Sequence, residues 1–423
     1  MSHPICTVII VQTNIRIDHQ LLAVEHEHAV SGMLELVAPE AADTGRLPLH
    51  LALVIDRSGS MAGDKLDAAK AAARFLAQRL GPNDRLALVT FDDDVALVLP
   101  LGPADPAAAE AAIAGIAPGG TTNLSGGWLK GVEELSRVAG DAVRRVLLLT
   151  DGLANCGIVD HRQLVGLASG MKERSATTTI GFGEGFDEDL LEAMADASGG
   201  ASYYVETPED APGVFAEEFE GLATMVAQNL SVEIVATDDV KLLGVLNEYP
   251  MVDVPNGLQV QLGDVFGGER RRVVFQLVVP GVAELGVRRI AALTIRYVEV
   301  GEQIAQHELT APVTVNLVSA DEAAASTADH EVVEEVTILQ AARACKEARD
   351  LADRGDFDAA QSLLLHHAAQ LRAVGSDTAL EDAVLLDQHF AMMAPPTYDP
   401  SMRKRLSNEA WRGGKGRTPR RKH

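Results

Sequence analysis

The chain has few cysteines and no long apolar run. Only three of its 423 residues are cysteine, and they lie far apart at Cys6, Cys156 and Cys345. Because an odd, scattered set of thiols builds no disulfide framework, a disulfide-stapled secreted scaffold is excluded and we expect a reducing, cytoplasmic environment. No run of 18 apolar residues occurs and the N-terminus lacks a basic start, so we expect neither a transmembrane segment nor a signal peptide.

The chain also lacks an excess of basic charge. It carries 36 Lys and Arg against 61 Asp and Glu, a formal net charge of −25, which argues against a body that grips nucleic acid or anionic lipid. The basic residues instead gather at the end, where nine Lys or Arg accompany one acid, Glu409, over residues 403–423. We expect residues 395–423 to be a disordered basic tail that either contacts nucleic acid or an anionic surface, or only aids solubility.

Common catalytic motifs are missing as well. The sequence contains no G-x-S-x-G, no H-E-x-x-H and no G-x-x-x-x-G-K-S/T. These patterns would have indicated a serine nucleophile, a zinc hydrolase or a nucleotide-phosphate loop.

Alternating strands and helices are present over residues 47–228. An apolar strand at 49–55 precedes a helix near 64–80 whose apolar residues recur at spacings of three and four, and the pattern repeats to a helix near 208–228. This alternation predicts an α/β domain with a doubly wound, mostly parallel sheet, Rossmann-like in layout. In such sheets ligands bind beyond the carboxyl ends of the strands.

The flanking segments read differently. Residues 1–46 contain short extended runs such as C-T-V-I-I-V, and residues 229–318 contain six β-rich runs at sandwich-like spacing. We predict one β-sandwich built from both segments, with the α/β domain inserted between them. Residues 319–328 read as a linker, and residues 329–394 as a helical hairpin or bundle.

Side chains with hard oxygen donors lie directly after two of the buried strands and in a glycine-rich loop. The first strand ends in D-R-S-G-S, the loop reads G-G-T-T-N, and a second apolar strand ends in T-D-G. Three strand-end loops would meet at one sheet edge with two carboxylates and several hydroxyls, the donors that Mg²⁺ prefers. Helix capping and turn formation are the alternative explanation. The residues concerned are Asp56, Ser58, Ser60, Thr121 or Thr122, and Asp151.

With these three motifs in this order, residues 48–228 resemble a von Willebrand factor A (VWA) domain with a metal-ion-dependent adhesion site. The resemblance implies that Ser58, Ser60 and Thr122 bind Mg²⁺ directly, with Mn²⁺ or Ca²⁺ as alternatives. It implies that Asp56 and Asp151 bind through water. The doubled threonine leaves a one-residue ambiguity, resolved in favour of Thr122 because the family's threonine commonly precedes Asn or a small polar residue. The whole layout resembles bacterial A-domain proteins, similar to inter-alpha-trypsin inhibitor heavy chains.

The resemblance implies a non-enzymatic protein–protein interaction module. The metal would accept an Asp or Glu carboxylate from a partner protein, and the chain would serve as a cytoplasmic scaffold or as an adaptor, for example for an AAA+ ATPase. One alternative is a metal-dependent hydrolase or phosphatase, although a haloacid-dehalogenase-like enzyme would carry a second Asp where this chain has Ser58. The other alternative is a structural scaffold with a vestigial site.

Four weaker candidates have plain structural explanations that we favour. His26 and His28 could share a strand face as a transition-metal site, but a solvated face is the simpler interpretation. Adjacent His366 and His367 should point apart on a helix. Cys156 is either a redox-sensitive or a structural thiol. The acidic run 92–94 is either a second cation site or a hairpin tip.

Overall fold

The computed structural model describes residues 11–41, 46–300, 305–395 and 397–416. These residues form two compact units. The α/β unit comprises residues 46–225 and Val300, and the second unit comprises the described residues of 11–41, 226–299 and 305–416.

The second unit begins with three strands, β1 (Gln12–Ile17), β2 (Leu21–Ala23) and β3 (His28–Val37). β1 and β3 pair antiparallel, with Gln12 opposite Val37. The predicted run C-T-V-I-I-V at 6–11 lies outside the described residues except for Val11.

The α/β unit alternates strands with helices. Its elements are β4 (Leu49–Asp56), α1 (Asp64–Arg79), β5 (Arg85–Phe91), β6 (Val95–Pro103), α2 (Pro106–Ala114), α3 (Leu124–Ser136), β7 (Val143–Thr150), α4 (His161–Met171), β8 (Ala176–Phe182), α5 (Glu188–Ser198), β9 (Ser202–Val205) and α6 (Ala211–Ala223). The strand order is β6-β5-β4-β7-β8-β9. The pairs from β5 through β9 are parallel, and β6 folds back on β5 as an antiparallel hairpin. The predicted doubly wound, mostly parallel sheet is confirmed.

Helix α3 packs unusually close to the sheet because glycines face it. A Cβ added at Gly127 would lie 2.4 Å from the Phe91 ring, and one at Gly131 would lie 2.6 Å from Val54. All eight residues of β4 are buried, and Ala52 and Val54 share a cluster with apolar residues of α3. This close packing brings the N-terminus of α3, capped by Asn123, to the carboxyl edge of the central strands.

The chain returns to the second unit through seven more strands. They are β10 (Met225–Ala236), β11 (Lys241–Val245), β12 (Met251–Val254), β13 (Gly257–Phe266), β14 (Arg270–Val279), β15 (Gly286–Glu299) and β16 (Ala305–Val318). Among the described residues they form two sheets with the first three strands, in the orders β1-β3-β14-β11 and β12-β13-β10-β15-β16-β2. β3 pairs antiparallel with β14, so N-terminal and later strands share a sheet and a core.

One boundary was predicted wrongly. The helix expected near 208–228 ends at Ala223, and β10 begins at Met225. The physical reason is that Val226, Leu230 and Val232 are buried in the sandwich core, which favours the extended backbone over a longer helix.

The helical region contains more helix than expected. Its helices are α7 (Ala320–Ala324), α8 (His330–Asp353), α9 (Phe357–Val374), α10 (Asp377–Met392) and α11 (Pro400–Gly414). α7 lies inside the predicted linker. Within the part of the chain that the structure describes, no helix combines the length and apolar character needed to cross a bilayer.

The predicted disorder of the basic tail is wrong for residues 400–414, which form α11. Met402, Leu406 and Ala410 recur every four residues and are buried against the other helices. Lys415 is 2% exposed, and its carbonyl accepts a 2.6 Å hydrogen bond from the Tyr249 hydroxyl. The prediction of disorder rested on the high content of basic residues and overlooked this apolar stripe. Residues 417–423 lie outside the described part of the chain.

Candidate metal centre

Asp56 is the last residue of β4 and is fully buried at the carboxyl edge of the sheet. Its Oδ1 accepts a 2.8 Å hydrogen bond from the Ser58 N–H, and its Oδ2 accepts a 2.6 Å bond from the Thr150 hydroxyl. Burial raises the pKa of Asp56, and the nearby Asp151 charge raises it further against the lowering effect of these hydrogen bonds. The carboxylate is thus oriented by neutral donors in a water-poor place.

The two serines of D-R-S-G-S sit on a short 3₁₀ turn, Gly59–Met61, anchored by the fully buried Met61. The Ser58 and Ser60 hydroxyl oxygens are 3.2 Å apart. Ser60 also donates a 2.8 Å hydrogen bond to Oδ1 of Asp151, 91 residues further along the chain. The ends of β4 and β7 therefore meet at these hydroxyls.

The glycine-rich loop brings Thr122 to the same point. Thr122 is 3% exposed, and a Cβ added at Gly152 would lie 3.1 Å from its Oγ1 and 3.8 Å from the Ser60 hydroxyl. The Thr122 N–H donates a 2.8 Å bond to Oδ1 of Asn155, and its carbonyl accepts from the Asn155 N–H. Gly152 thus leaves room for the two hydroxyls beside Asp151.

Thr121 points elsewhere. It is exposed, and both its N–H and its hydroxyl hydrogen-bond Oδ1 of Asp93. The two threonines of the doubled motif therefore have different roles in the structure.

The acidic run 92–94 forms the tip of the β5–β6 hairpin and braces the loop. Asp92 accepts hydrogen bonds from the Gly120 N–H at 3.2 Å and from the Arg57 guanidinium at 3.0 Å. Its carbonyl accepts a 2.9 Å bond from the Asn123 N–H. Two of the three carboxylates are therefore engaged in holding residues 119–123.

Sequence reasoning missed one residue of the site, Lys65. Its ammonium lies 2.5 Å from Oδ2 of Asp151, whose side chain is fully buried. Lys65 is the second residue of α1 and lies five residues after Ser60, the last residue of D-R-S-G-S. The sequence feature that could have pointed to Lys65 was its position in the first turn of the helix that follows β4.

The weaker candidates do not assemble into sites. Glu25 occupies a turn with φ of 64°, so 25–28 is not a continuous strand. His28 Nε2 lies 2.8 Å from the Ala23 carbonyl. The rings of His366 and His367 do not point apart as expected, because their centroids are 5.3 Å apart in an edge-on arrangement. Across 11–41, 46–300, 305–395 and 397–416, no three His, Cys, Asp or Glu are grouped to hold a metal.

The donor set fits a hard divalent cation. Two buried carboxylates and the hydroxyls of Ser58, Ser60 and Thr122 converge, all of them oxygen donors of the kind that Mg²⁺, Mn²⁺ and Ca²⁺ take. The residues that carry this set match a known domain, because the family model of the von Willebrand factor type A domain matches residues 51–153. The chain contains a von Willebrand factor type A domain.

Two curated relatives match part of this chain. An uncharacterized protein of Synechocystis sp. is 35% identical over 196 residues, which cover 46% of this chain and 46% of that protein. Inter-alpha-trypsin inhibitor heavy chain H1 of Bos taurus is 29% identical over 196 residues, covering 44% of this chain and 21% of that one. The matched region is less than half the length of either relative.

A solved structure shows the same fold over nearly the whole chain. A von Willebrand factor type A protein from Catenulispora acidiphila has a TM-score of 0.73 at 18% identity and is covered to 98%, as is this chain. The resemblance drawn from the three motifs is thus confirmed for the domain and its fold.

Proposed function

We propose that the VWA domain binds Mg²⁺ through Ser58, Ser60 and Thr122, with Asp56 and Asp151 acting through water, and thereby captures a carboxylate of a partner protein. When bound, the ion supplies positive charge that neutral hydroxyls leave largely uncompensated. The chain then works without catalysis, as a cytoplasmic scaffold or an adaptor, for which an AAA+ ATPase is one partner class.

The observation that supports this function is the shared hydroxyl network. The Ser60 hydroxyl contacts both the Ser58 hydroxyl and the Asp151 carboxylate, joining two strand ends. Loops that merely capped helices would have no need to bring these oxygens together. Metal-mediated contact with a carboxylate is a charge-assisted interaction of the sort that dominates small interfaces.

The two threonines provide a matched test of the metal centre. Thr122→Ala should weaken Mg²⁺ or Mn²⁺ binding at least about tenfold, because it removes one direct oxygen ligand. Thr121→Ala removes the same hydroxyl one position away, where it contacts Asp93 instead. The Thr121 N–H still donates to Asp93 in this variant, so its metal binding should stay close to that of the unmodified chain. Isothermal titration with each metal measures both, and equal loss in the two variants would contradict the assignment.

The partner is tested by capture from a lysate of the native cell. Tagged full-length chain in Mg²⁺ is compared with the same chain in EDTA and with Asp56→Ala in Mg²⁺. A protein retained only by the unmodified chain in Mg²⁺ supports the proposal, and an acidic-to-amide substitution in that protein should then abolish retention. A protein retained in all three would favour a structural scaffold with a vestigial site.

An enzyme remains the second candidate from the residue pattern. A metal-dependent hydrolase or phosphatase would turn over a generic phosphoester in a manner that depends on Asp56. Absence of turnover in Mg²⁺ and Mn²⁺ would leave the binding function. The basic end is tested separately, by nucleic acid and anionic vesicle binding with and without residues 417–423, a truncation that leaves α11 in place.

A further inference from the structure

One cationic side chain enters the acidic site from outside the three motifs. The Lys65 ammonium lies 2.5 Å from Oδ2 of Asp151, while the Ser60 hydroxyl occupies Oδ1. The Lys65 side chain is 35% exposed, whereas that of Asp151 is 0% exposed. The lysine therefore reaches inward to a buried carboxylate instead of extending into water.

The loop after β8 leaves space for this lysine. Gly183 has φ of 64°, and a Cβ added there would lie 3.2 Å from Lys65 Cε and 3.5 Å from Nζ. A Cβ at Gly185 would lie 2.5 Å from the Asp151 carbonyl oxygen. Glycine at both positions lets the backbone pass close to the lysine and to Asp151, so the loop after β8 packs directly against this ion pair.

The charges of the site do not balance without a further cation. The hydrogen bonds that Asp56 receives come from the neutral Ser58 and Thr150, whereas Asp151 faces Lys65. A buried carboxylate without a cation is costly, so Lys65 offsets the charge of Asp151 when no metal is bound. The same ammonium repels a divalent ion placed among these ligands.

We propose that Lys65 is a tethered counter-ion of Asp151 that stabilises the metal-free site and competes with the divalent cation. The inference rests on the proposed metal centre. Lys65 then weakens metal binding and stabilises the metal-free domain at the same time. A domain with a neutral residue at position 65 binds metal more tightly and is less stable without metal. If Lys65 only supported the fold, its replacement by a neutral residue would lower stability and would not tighten metal binding.

Substitutions that remove or keep the charge separate these roles. Lys65→Met keeps the apolar stem and removes the charge, with Lys65→Gln as a second neutral variant. Lys65→Arg retains a cation. Lys70→Met makes the same charge change on the same helix, at a residue outside the site.

The full-length variants are titrated with Mg²⁺ and with Mn²⁺ alone, and their thermal unfolding is followed in EDTA. Both neutral variants should bind metal about tenfold more tightly than the unmodified chain and melt several degrees lower in EDTA. Lys65→Arg and Lys70→Met should stay close to the unmodified chain in both measurements.

Unchanged or weaker metal binding in Lys65→Met and Lys65→Gln would overturn the inference while leaving the metal centre intact. Absence of any metal binding in the unmodified chain would overturn both, so the two failures are distinguishable.

Discussion

At the residue scale, buried acidic groups of the α/β unit are held in different ways. Asp56 is oriented by neutral donors, and burial raises its pKa. Asp84 is also buried, and burial by itself would raise its pKa. The Arg46 guanidinium and two backbone N–H groups outweigh that effect, so the pKa of Asp84 falls below the ordinary value. The hydrogen-bond partners of each buried carboxylate thus decide whether its pKa lies above or below the ordinary value.

Asp84 predicts a pH dependence of stability. It accepts hydrogen bonds from Arg46, from the Leu49 N–H at 2.8 Å and from the Gly81 N–H at 2.7 Å. Since its folded pKa is depressed, the stability that it contributes is present above its unfolded pKa of about 3.9 and is lost as pH falls through the folded value.

Asp84→Asn should therefore lower the free energy of unfolding of the α/β unit by about 1–3 kcal/mol at pH 7, because an amide group replaces one of the two carboxylate oxygens that accept from Arg46 and from backbone N–H groups. The loss should shrink as the pH falls toward 2. Urea unfolding from pH 7 to pH 2 measures it, with the exposed Asp94→Asn as the control. A penalty that stayed the same across this range would argue against the assignment.

A buried thiol also belongs to the residue scale. Cys345 lies 3.9 Å from Nδ1 of His389, whose Nε2 is 2.6 Å from Glu409. Burial, followed by the nearby acids, raises the pKa of Cys345 to about 12. This arrangement of thiol, imidazole and carboxylate therefore holds a neutral thiol inside the helical region, not a nucleophile.

At the element scale, the β5–β6 hairpin holds the glycine-rich loop that carries Thr122. Asp92 contacts Gly120, Arg57 and the Asp94 N–H, and Asp93 contacts Thr121. A glycine-rich loop is flexible by itself, because glycine restricts the backbone little. The hairpin tip supplies the missing restraint.

Asp92→Ala should lower the free energy of unfolding by about 1–3 kcal/mol, because the Gly120 and Asp94 N–H groups and the Arg57 guanidinium lose a buried acceptor. It should also weaken Mn²⁺ binding, since the loop carrying Thr122 is loosened. Chemical unfolding and calorimetric titration measure the two effects. Asp94→Ala, at an exposed position of the same hairpin, is the matched control, and equal effects of both substitutions would refute the bracing role.

At the scale of the whole molecule, the last described helix completes the helical region. Leu406 is fully buried in the same apolar cluster as Leu364 of α9 and Leu386 of α10. Arg403 pairs with Asp353 at 2.9 Å. The basic residues of α11 are therefore partly committed to this fold, which limits what the C-terminal segment offers to nucleic acid.

Leu406→Ala should destabilise the second unit by about 2–5 kcal/mol, because it leaves a cavity in a packed core. Loosening of α11 should then expose its arginines to trypsin. Limited proteolysis with mass spectrometry follows the cleavage after Arg403 and Arg405. Arg412→Ala, in the same helix without loss of core volume, is the comparison, and equal cleavage rates in the two variants would contradict the packing of α11.

The sequence predicted the repeating features well, because local patterns report burial directly. The alternation of apolar strands with helical patterns over residues 47–228 indicated the parallel sheet, and the order of three motifs indicated the VWA domain. The helix end at Ala223 and the short strand Met251–Val254 escaped prediction, since packing in the sandwich decides them. Helix α11 was missed because the many basic residues of the segment favoured a prediction of disorder, and its apolar stripe has only three residues.

The sequence by itself determined the chemistry available at the sheet edge, since strand ends in a parallel sheet necessarily gather there. Only the tertiary structure decided which groups meet. It directed Thr122 toward Gly152 and Ser60, and Thr121 toward Asp93. It also brought Lys65 to Asp151, across 86 residues of chain. Contacts of that kind depend on the rotation of α1 and the course of the loop after β8, which no local pattern encodes.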